Sequence, residues 1–167
     1  MNQSLHTGVI ILLMVALPFM VTASPDLRLI EAAKKGDLNE INALLKGSAD
    51  VNTKKADGTS ALHYAAHRND IQIAKRLTKL GADPNTANEY GVTPLSLACI
   101  NRSSEMVDML TQVGADANAA KWSGESVLMD CVRTGAKDGV EALIKAGANP
   151  NVMENKITAN FKNGVLT

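Results

Sequence analysis

The sequence predicts an all-α repeat solenoid of four helix pairs, with connecting hairpin loops and a partial fifth unit. A Gly-Ala-Asp/Asn segment begins at Gly81 and returns at Gly114 and Gly147, 33 residues later each time. Two further markers keep this period: Gly58, Gly91 and Gly124, and Leu62, Leu95 and Leu128. Three markers in one register indicate stacked units, because self-similarity at a fixed period of about 20–50 residues is typical of repeat proteins.

The first helix of each predicted unit begins at a residue suited to that place. The expected starts lie near Asp26, Ser60, Thr93 and Ser126. A hydroxyl side chain can accept a hydrogen bond from a free N–H group of the first helical turn. Pro94 falls at the first helical position, where the missing N–H group does no harm.

The second helix of each unit is predicted to end at a glycine. Residues 71–77 form such a helix, and Gly81 follows it. Glycine readily adopts the left-handed conformation that commonly terminates a helix. The Asp-x-Asn segment after it leads into a hairpin loop whose tip precedes the next marker glycine.

This pattern resembles that of ankyrin-repeat proteins. Their T-P-L-H-x-A box occurs here as TPLSLA at 93–98 and more weakly as SALHYA at 60–65, while SVLMDC at 126–131 keeps only the serine and leucine. The resemblance covers about residues 25–155 and implies a protein-binding solenoid. The family binds partners through loop tips and the concave face of the first helices.

The chain divides into a leader, an array and a tail. The predicted array spans 24–155, with units at about 25–48, 49–81, 82–114 and 115–147 and a partial fifth at 148–155. The marker glycine expected at 157 is Ile157, although Phe161 keeps the leucine register. Residues 156–167 are therefore either a makeshift cap or the start of a longer array that was cut short.

The first 23 residues have the pattern of a secretory signal peptide. Residues 9–21 form an apolar run that is short for a membrane span and fits a signal h-region. Small residues precede a predicted cleavage site after Ala23. No lysine or arginine precedes the run, so an uncleaved membrane anchor stays an alternative. We expect a periplasmic or secreted protein, with membrane attachment only if this segment is not cleaved.

Composition and motifs argue against several function classes. The 17 basic residues balance the 17 acidic ones, so a broad electrostatic grip on nucleic acid is not indicated. The chain contains no nucleophile elbow, phosphate-binding loop, zinc-protease or dinucleotide motif. We expect a monomer that binds a protein, without enzymatic activity, cofactor or nucleic acid.

Histidine and cysteine pairs offer two weaker signals. His63 and His67 share one helix face, but a zinc site needs three or four ligands, so we expect structural roles and no metal site. Cys99 and Cys131 fall on neighbouring first helices, displaced by one residue. Packed helices lie about 8–10 Å apart and a disulfide needs Cα atoms within about 7 Å. We therefore predict two free, mostly buried thiols.

The loop tips and the ends of the first helices carry the candidate binding residues. Tyr90 and Trp122, the only tryptophan, lie at tips, and such residues are common anchors of protein interfaces. The alternative is that Trp122 folds back onto its own hairpin. The resemblance implies partner contact by Lys54, Asp57, His67, Arg68, Glu89, Tyr90, Val92, Ile100, Asn101, Trp122, Ser123, Glu125 and Arg133.

The sequence leaves two functions open. The first is an extracytoplasmic binding module for a folded protein, acting as an inhibitor, a protective protein or a scaffold. The second is a structural fragment of a longer array that has no partner of its own.

Overall fold

The computed structural model describes residues 27–151 and contains eight α-helices within that range. The helices are α1 Arg28–Lys35, α2 Leu38–Lys46, α3 Ala61–His67, α4 Ile71–Lys79, α5 Pro94–Ile100, α6 Ser104–Gln112, α7 Val127–Thr134 and α8 Lys137–Lys145. They form four consecutive pairs, which we number as units one to four. The predicted all-α repeat solenoid is therefore confirmed. The predicted leader (1–23) and tail (156–167) lie outside the described residues.

The first helices begin where the sequence predicted. The Thr93 hydroxyl accepts a hydrogen bond from the Ser96 N–H group at 3.2 Å, and Ser126 Oγ accepts one from Met129 at 3.3 Å. Pro94 occupies the first turn of α5. The start of α3 differs, because the ring of His63 takes the hydrogen bonds there.

Three of the second helices, α4, α6 and α8, end in the predicted conformation, whereas after α2 the left-handed residue is Ser48, with a φ angle of +66°. Gly81, Gly114 and Gly147 have φ angles of +90°, +94° and +93°, a region that a side chain disfavours. These glycines turn the chain from each of the three helices into the next loop.

Stacking of neighbouring units makes one continuous core. The first helices α1, α3, α5 and α7 pack on one another in order, and α4, α6 and α8 form a second layer. Alanines fill most of the contact between first helices, including Ala32, Ala33, Ala65, Ala66 and Ala98, all of which are fully buried. Leu62 and Leu95 lie at 1% exposure beside them, so these two period-33 leucines are core residues, whereas Leu128 in unit four is partly buried. No helix within residues 27–151 is long and apolar enough to span a membrane.

A ladder of asparagine side chains also joins the units. Asn85 Nδ2 donates to the Gly114 carbonyl at 2.9 Å, and Asn85 Oδ1 accepts from the Asp116 N–H group at 2.7 Å. Asn52 and Asn118 make the equivalent pairs of bonds one unit earlier and one unit later. Each asparagine therefore satisfies backbone groups of the following unit.

The prediction of two free thiols was wrong. Cys99 in α5 and Cys131 in α7 form a disulfide, with their Cα atoms 4.5 Å apart. The prediction compared the distance between helix axes, about 8–10 Å, with the largest Cα–Cα distance of a disulfide, about 7 Å, although these are different distances. Because Cα atoms lie about 2.3 Å from a helix axis, facing residues on helices about 8–10 Å apart come within disulfide range.

Candidate functional site

Three hairpins with one geometry project from the stack at residues 55–59, 88–92 and 121–125, and we call them the tip ridge. In each, the first residue donates its N–H group to the carbonyl of the fifth, at 2.9, 3.0 and 2.9 Å respectively. The marker glycine at the fourth position, Gly58, Gly91 or Gly124, has a positive φ. The repeat period therefore produces a row of matching tips.

Backbone hydrogen bonds connect each tip to the next. The Glu89 N–H group donates to the Asp57 carbonyl at 2.8 Å, and the Trp122 N–H group donates to the Tyr90 carbonyl at 3.3 Å. A Cβ atom on Gly91 would lie 2.8 Å from the Trp122 nitrogen, closer than van der Waals contact allows. Glycine is therefore needed there for the tips to touch, and the ridge is one connected edge.

Two large aromatic side chains project from this edge into solvent. Tyr90 is 66% exposed and Trp122 is 74% exposed. The alternative that Trp122 folds back onto its hairpin does not fit this exposure. Hydrogen bonding to Glu89 and the negative charges of Glu89 and Asp57 raise the pKa of the Tyr90 hydroxyl. The N–H group of Thr59 lowers the pKa of the Asp57 carboxyl.

The other tip residues in the predicted set vary in exposure. Lys54, Glu89 and Ser123 are exposed, and Asp57, Val92 and Glu125 are partly buried. Val92 has a structural task, because its carbonyl accepts hydrogen bonds from the Asn88 N–H group and from the His63 ring. Its contribution to a binding surface is therefore limited to its half-buried side chain.

The predicted residues at the ends of the first helices divide into two groups. Ile100 is 41% exposed, and His67 and Arg133 are also exposed. Arg68 and Asn101, although exposed, bond to the preceding unit. Arg68 Nη1 donates to the Lys34 carbonyl at 3.3 Å, and Asn101 Nδ2 donates to the His67 carbonyl at 2.6 Å. These two side chains therefore help to hold the stack together.

A charged cluster beneath the Trp122 tip was missed by sequence reasoning. Lys121 Nζ lies 2.6 Å from Asp130 Oδ1, and Arg133 Nη2 lies 2.7 Å from the same oxygen. The side chains of Lys121 and Asp130 are 12% and 1% exposed, and Asp130 Oδ2 has no hydrogen-bond partner among the described residues. Glu125 also contacts Lys121 at 3.2 Å, and this bond lowers the pKa of its carboxyl.

The sequence did contain a signal for this cluster. Asp130 occupies the position that Tyr64 and Leu97 hold in the two preceding units, and a carboxylate there needs a cation. Lys121 holds the position of Lys55, which lies 3.5 Å from the Tyr64 hydroxyl. The cluster therefore modifies a contact already made in unit two.

His63 links units two and three and leaves no nitrogen for a metal. Its Nδ1 accepts from the Ser60 N–H group at 3.2 Å, so the ring proton is on Nε2, which lies 3.0 Å from the Val92 carbonyl. Burial lowers the pKa of this histidine and favours the neutral ring. No cluster of metal-ligating side chains occurs among residues 27–151.

An apolar groove of about 580 Å³ lies at the outer side of unit four. Its apolar lining includes Leu128, Met129, Val132, Val140, Ile144 and Pro150. Val132 is 62% exposed here, whereas the equivalent Cys99 is fully buried by the following unit. The groove is therefore the side of unit four that a further unit would cover.

Comparison with known families agrees with this architecture. The family model described as "Ankyrin repeats (3 copies)" matches residues 29–121 and 81–154. A search of curated proteins found no match to the chain. The matched segments extend over most of the sequence and cover the four helix pairs. The chain therefore belongs to the ankyrin-repeat family, whose members generally act as protein-interaction modules.

Proposed function

We propose that this protein is an extracytoplasmic module that binds a folded protein partner through its tip ridge. The observation that carries the proposal is the pair of exposed aromatics, Tyr90 and Trp122, on hairpins joined by a backbone hydrogen bond. Large aromatic side chains are poorly solvated by water, whereas at protein interfaces tyrosine, tryptophan and arginine often contribute most of the binding free energy. Ile100 and Arg133, at the ends of neighbouring first helices, would extend this surface.

The preformed ridge supports binding of a folded surface. Its tips are fixed by hydrogen bonds within and between hairpins, so few backbone groups need to be ordered when a partner docks. Preorganisation of this kind reduces the entropic cost of association. Inhibition of an enzyme in the same compartment, protection against it, or scaffolding of an envelope complex are roles that fit such a surface.

The disulfide supports the proposed location. Disulfides persist in secreted and periplasmic proteins and are rare in the reducing cytosol. The Cys99–Cys131 bond therefore agrees with the apolar leader pattern at residues 9–21. Both observations favour a periplasmic or secreted site of action.

Affinity capture with matched variants tests the proposal. The full chain is used to capture proteins from a periplasmic or secreted extract, and the retained protein is purified and titrated by calorimetry. We expect Tyr90→Ala and Trp122→Ala each to raise its Kd by about 10–100-fold, the effect of losing an interface anchor.

The control variants remove exposed apolar residues that lie away from the tips. Leu80 and Val113, at the ends of α4 and α6, are 42% and 44% exposed. Leu80→Ala and Val113→Ala should leave the Kd within about twofold of wild type. Equal Kd values for the tip variants and the wild type would overturn the proposal.

A structural role within a longer array is the second candidate. The open apolar groove of unit four favours it, because Val132 and Ile144 lie where another unit would pack. The coding DNA downstream of residue 167 tests this alternative. Repeat-like sequence there in any reading frame, together with the capture of no protein, would support it over the binding module.

A further inference from the structure

The disulfide occupies a position that the other units fill differently. Cys131 replaces the buried alanines Ala65 and Ala98 of the preceding units, and Cys99 replaces Ala66. Both cysteines are fully buried. The bond therefore adds sulfur to the buried layer of first helices, between α5 and α7.

A glycine in α8 provides the room for that sulfur. A Cβ atom on Gly139 would lie 3.0 Å from Cys131 Sγ, a contact so tight that the sulfur would have to shift to admit a side chain. The two preceding units have the buried residues Ile73 and Met106 at this position. Unit four therefore lacks the core side chain that units two and three have at this position, and glycine inside a helix is itself unfavourable.

Unit four depends on the bond more than an inner unit would. Its outer side is open among the described residues, where Val132 is 62% and Ile144 is 44% exposed. In a stack of repeats each unit is stabilised only by its neighbours. Unit four is thus held by unit three and by the disulfide.

A short series of contacts connects the disulfide to the binding tip. Asp130 precedes Cys131 in α7, and its carboxylate contacts Lys121 at 2.6 Å. Lys121 precedes Trp122, whose N–H group donates to the Tyr90 carbonyl. The placement of the Trp122 tip against the Tyr90 tip therefore depends on α7 remaining seated against α5.

We propose that formation of the Cys99–Cys131 disulfide switches the tip ridge into its binding-competent form. In the dithiol protein, unit four opens from unit three and the Trp122 tip leaves the Tyr90 tip. On oxidation the two thiols lose two protons and two electrons, which reduce the disulfide of a small-molecule or protein oxidant to two thiols. The consequence for partner binding rests on the function proposed above, whereas the opening of unit four does not.

Amide hydrogen exchange of the full chain, measured by NMR, tests the switch at the hydrogen bond from the Trp122 N–H group to the Tyr90 carbonyl. The oxidised wild type is compared with Cys99→Ala/Cys131→Ala, which places the alanines of earlier units at both sites. We expect the Trp122 amide to exchange at least about tenfold faster in the variant, because the cross-link no longer restricts opening.

The Glu89 amide is the internal control for that measurement. It makes the equivalent tip-to-tip bond between units two and three, to the Asp57 carbonyl, and should keep its exchange rate. Equal Trp122 rates in the two proteins would overturn the switch. An increase of the same size at Glu89 would also overturn it, because the effect would then be general unfolding.

A second variant separates the cross-link from the missing side chain. Adding Gly139→Met to the double-alanine protein gives unit four the residue of unit three at that position, Met106. We expect the Trp122 amide to regain part of its protection. In the presence of both cysteines, Gly139→Met should leave titratable thiols after oxidation, and complete disulfide formation there would contradict the role assigned to Gly139.

Capture experiments then distinguish the two proposals. If the double-alanine protein shows fast Trp122 exchange and loses the partner, both proposals are supported. Fast exchange with an unchanged Kd would overturn the claim that the disulfide makes the tip ridge binding-competent, and it would leave the opening of unit four and the outcome of the Tyr90 and Trp122 variants intact. Unchanged exchange together with a weakened Kd would overturn the switch.

Discussion

At the residue scale, the charged cluster places a buried ion pair in unit four where unit three has an uncharged amide and a leucine. Lys121 and Asp130 stand where unit three has Asn88 and Leu97. A buried ion pair seldom adds net stability over an apolar pair, but removing only one partner is costly. The effect on stability of changing Lys121 should therefore depend on whether Asp130 is present, and the reverse.

This dependence predicts the outcome of a double-mutant cycle. Lys121→Asn should lower the free energy of unfolding by about 2–3 kcal/mol, because Asp130 stays buried with Arg133 as its remaining cation. The double variant Lys121→Asn/Asp130→Leu, which carries the residues of unit three, should lie within about 1 kcal/mol of wild type. Urea unfolding monitored by circular dichroism measures both. The single variant Asp130→Leu completes the cycle, and if its cost and that of Lys121→Asn simply added to the cost of the double variant, the coupling would be disproved.

At the element scale, the marker glycines have different reasons for being glycine. Gly114 has φ +94° and open space around it, so only its backbone conformation requires glycine. Gly91 has φ +75°, and its missing side chain also leaves room for the backbone of the next tip. Glycine therefore recurs with the repeat for two reasons: Gly114 ends a helix, and Gly91 allows two hairpins to touch.

Alanine at these two sites should separate the effects. Gly114→Ala should cost about 1–2 kcal/mol for the left-handed conformation. Gly91→Ala should cost a further 1–3 kcal/mol, roughly the cost of overpacking, because the new Cβ would meet the Trp122 nitrogen and Lys121 Cα. Thermal unfolding gives both values. Equal losses of unfolding free energy in the two variants would show that the tips tolerate separation and that the tip ridge is not a fixed edge.

At the scale of the whole molecule, neighbouring units are joined by side chains that bond across the interface. The asparagine ladder joins successive loops, and His63 joins unit two to the Val92 carbonyl of unit three. Because each unit contacts only its neighbours, a loss at one interface weakens the cooperative stack. The protonation of His63 therefore affects the stability of the whole fold.

The expected pH dependence follows from the direction of that pKa shift. Burial lowers the pKa of His63 below its ordinary value of 6.5, so the unfolded chain binds a proton more readily than the folded one. Stability is then complete above about pH 6.5 and falls as the pH drops from there toward the folded pKa. Urea midpoints at pH 7.5 and 5.5 measure this fall.

Two histidine variants make the pH test specific. His63→Gln removes the titrating ring and should reduce the difference between the two midpoints. His67→Gln changes an exposed histidine of the same helix and should retain the difference. Equal pH dependence in the wild type and His63→Gln would assign the effect to other groups.

The periodic sequence by itself determined the local architecture. Thr93, Ser126 and Gly81 act at the helix boundaries where their spacing predicted, since capping and termination depend on residues only a few positions apart. The period also placed Tyr90 and Trp122 at the tips. The structure shows that both side chains are exposed, and their binding to a partner stays a prediction.

Only the tertiary structure decided what crosses between units. The Cys99–Cys131 bond depends on how closely α5 and α7 approach, and a residue alignment does not contain that distance. The partners of Asn85, Arg68 and Lys121 likewise follow from how neighbouring elements pack. Repeat spacing specifies which residues are equivalent, whereas side-chain bonds require distances of about 3 Å that helix packing sets.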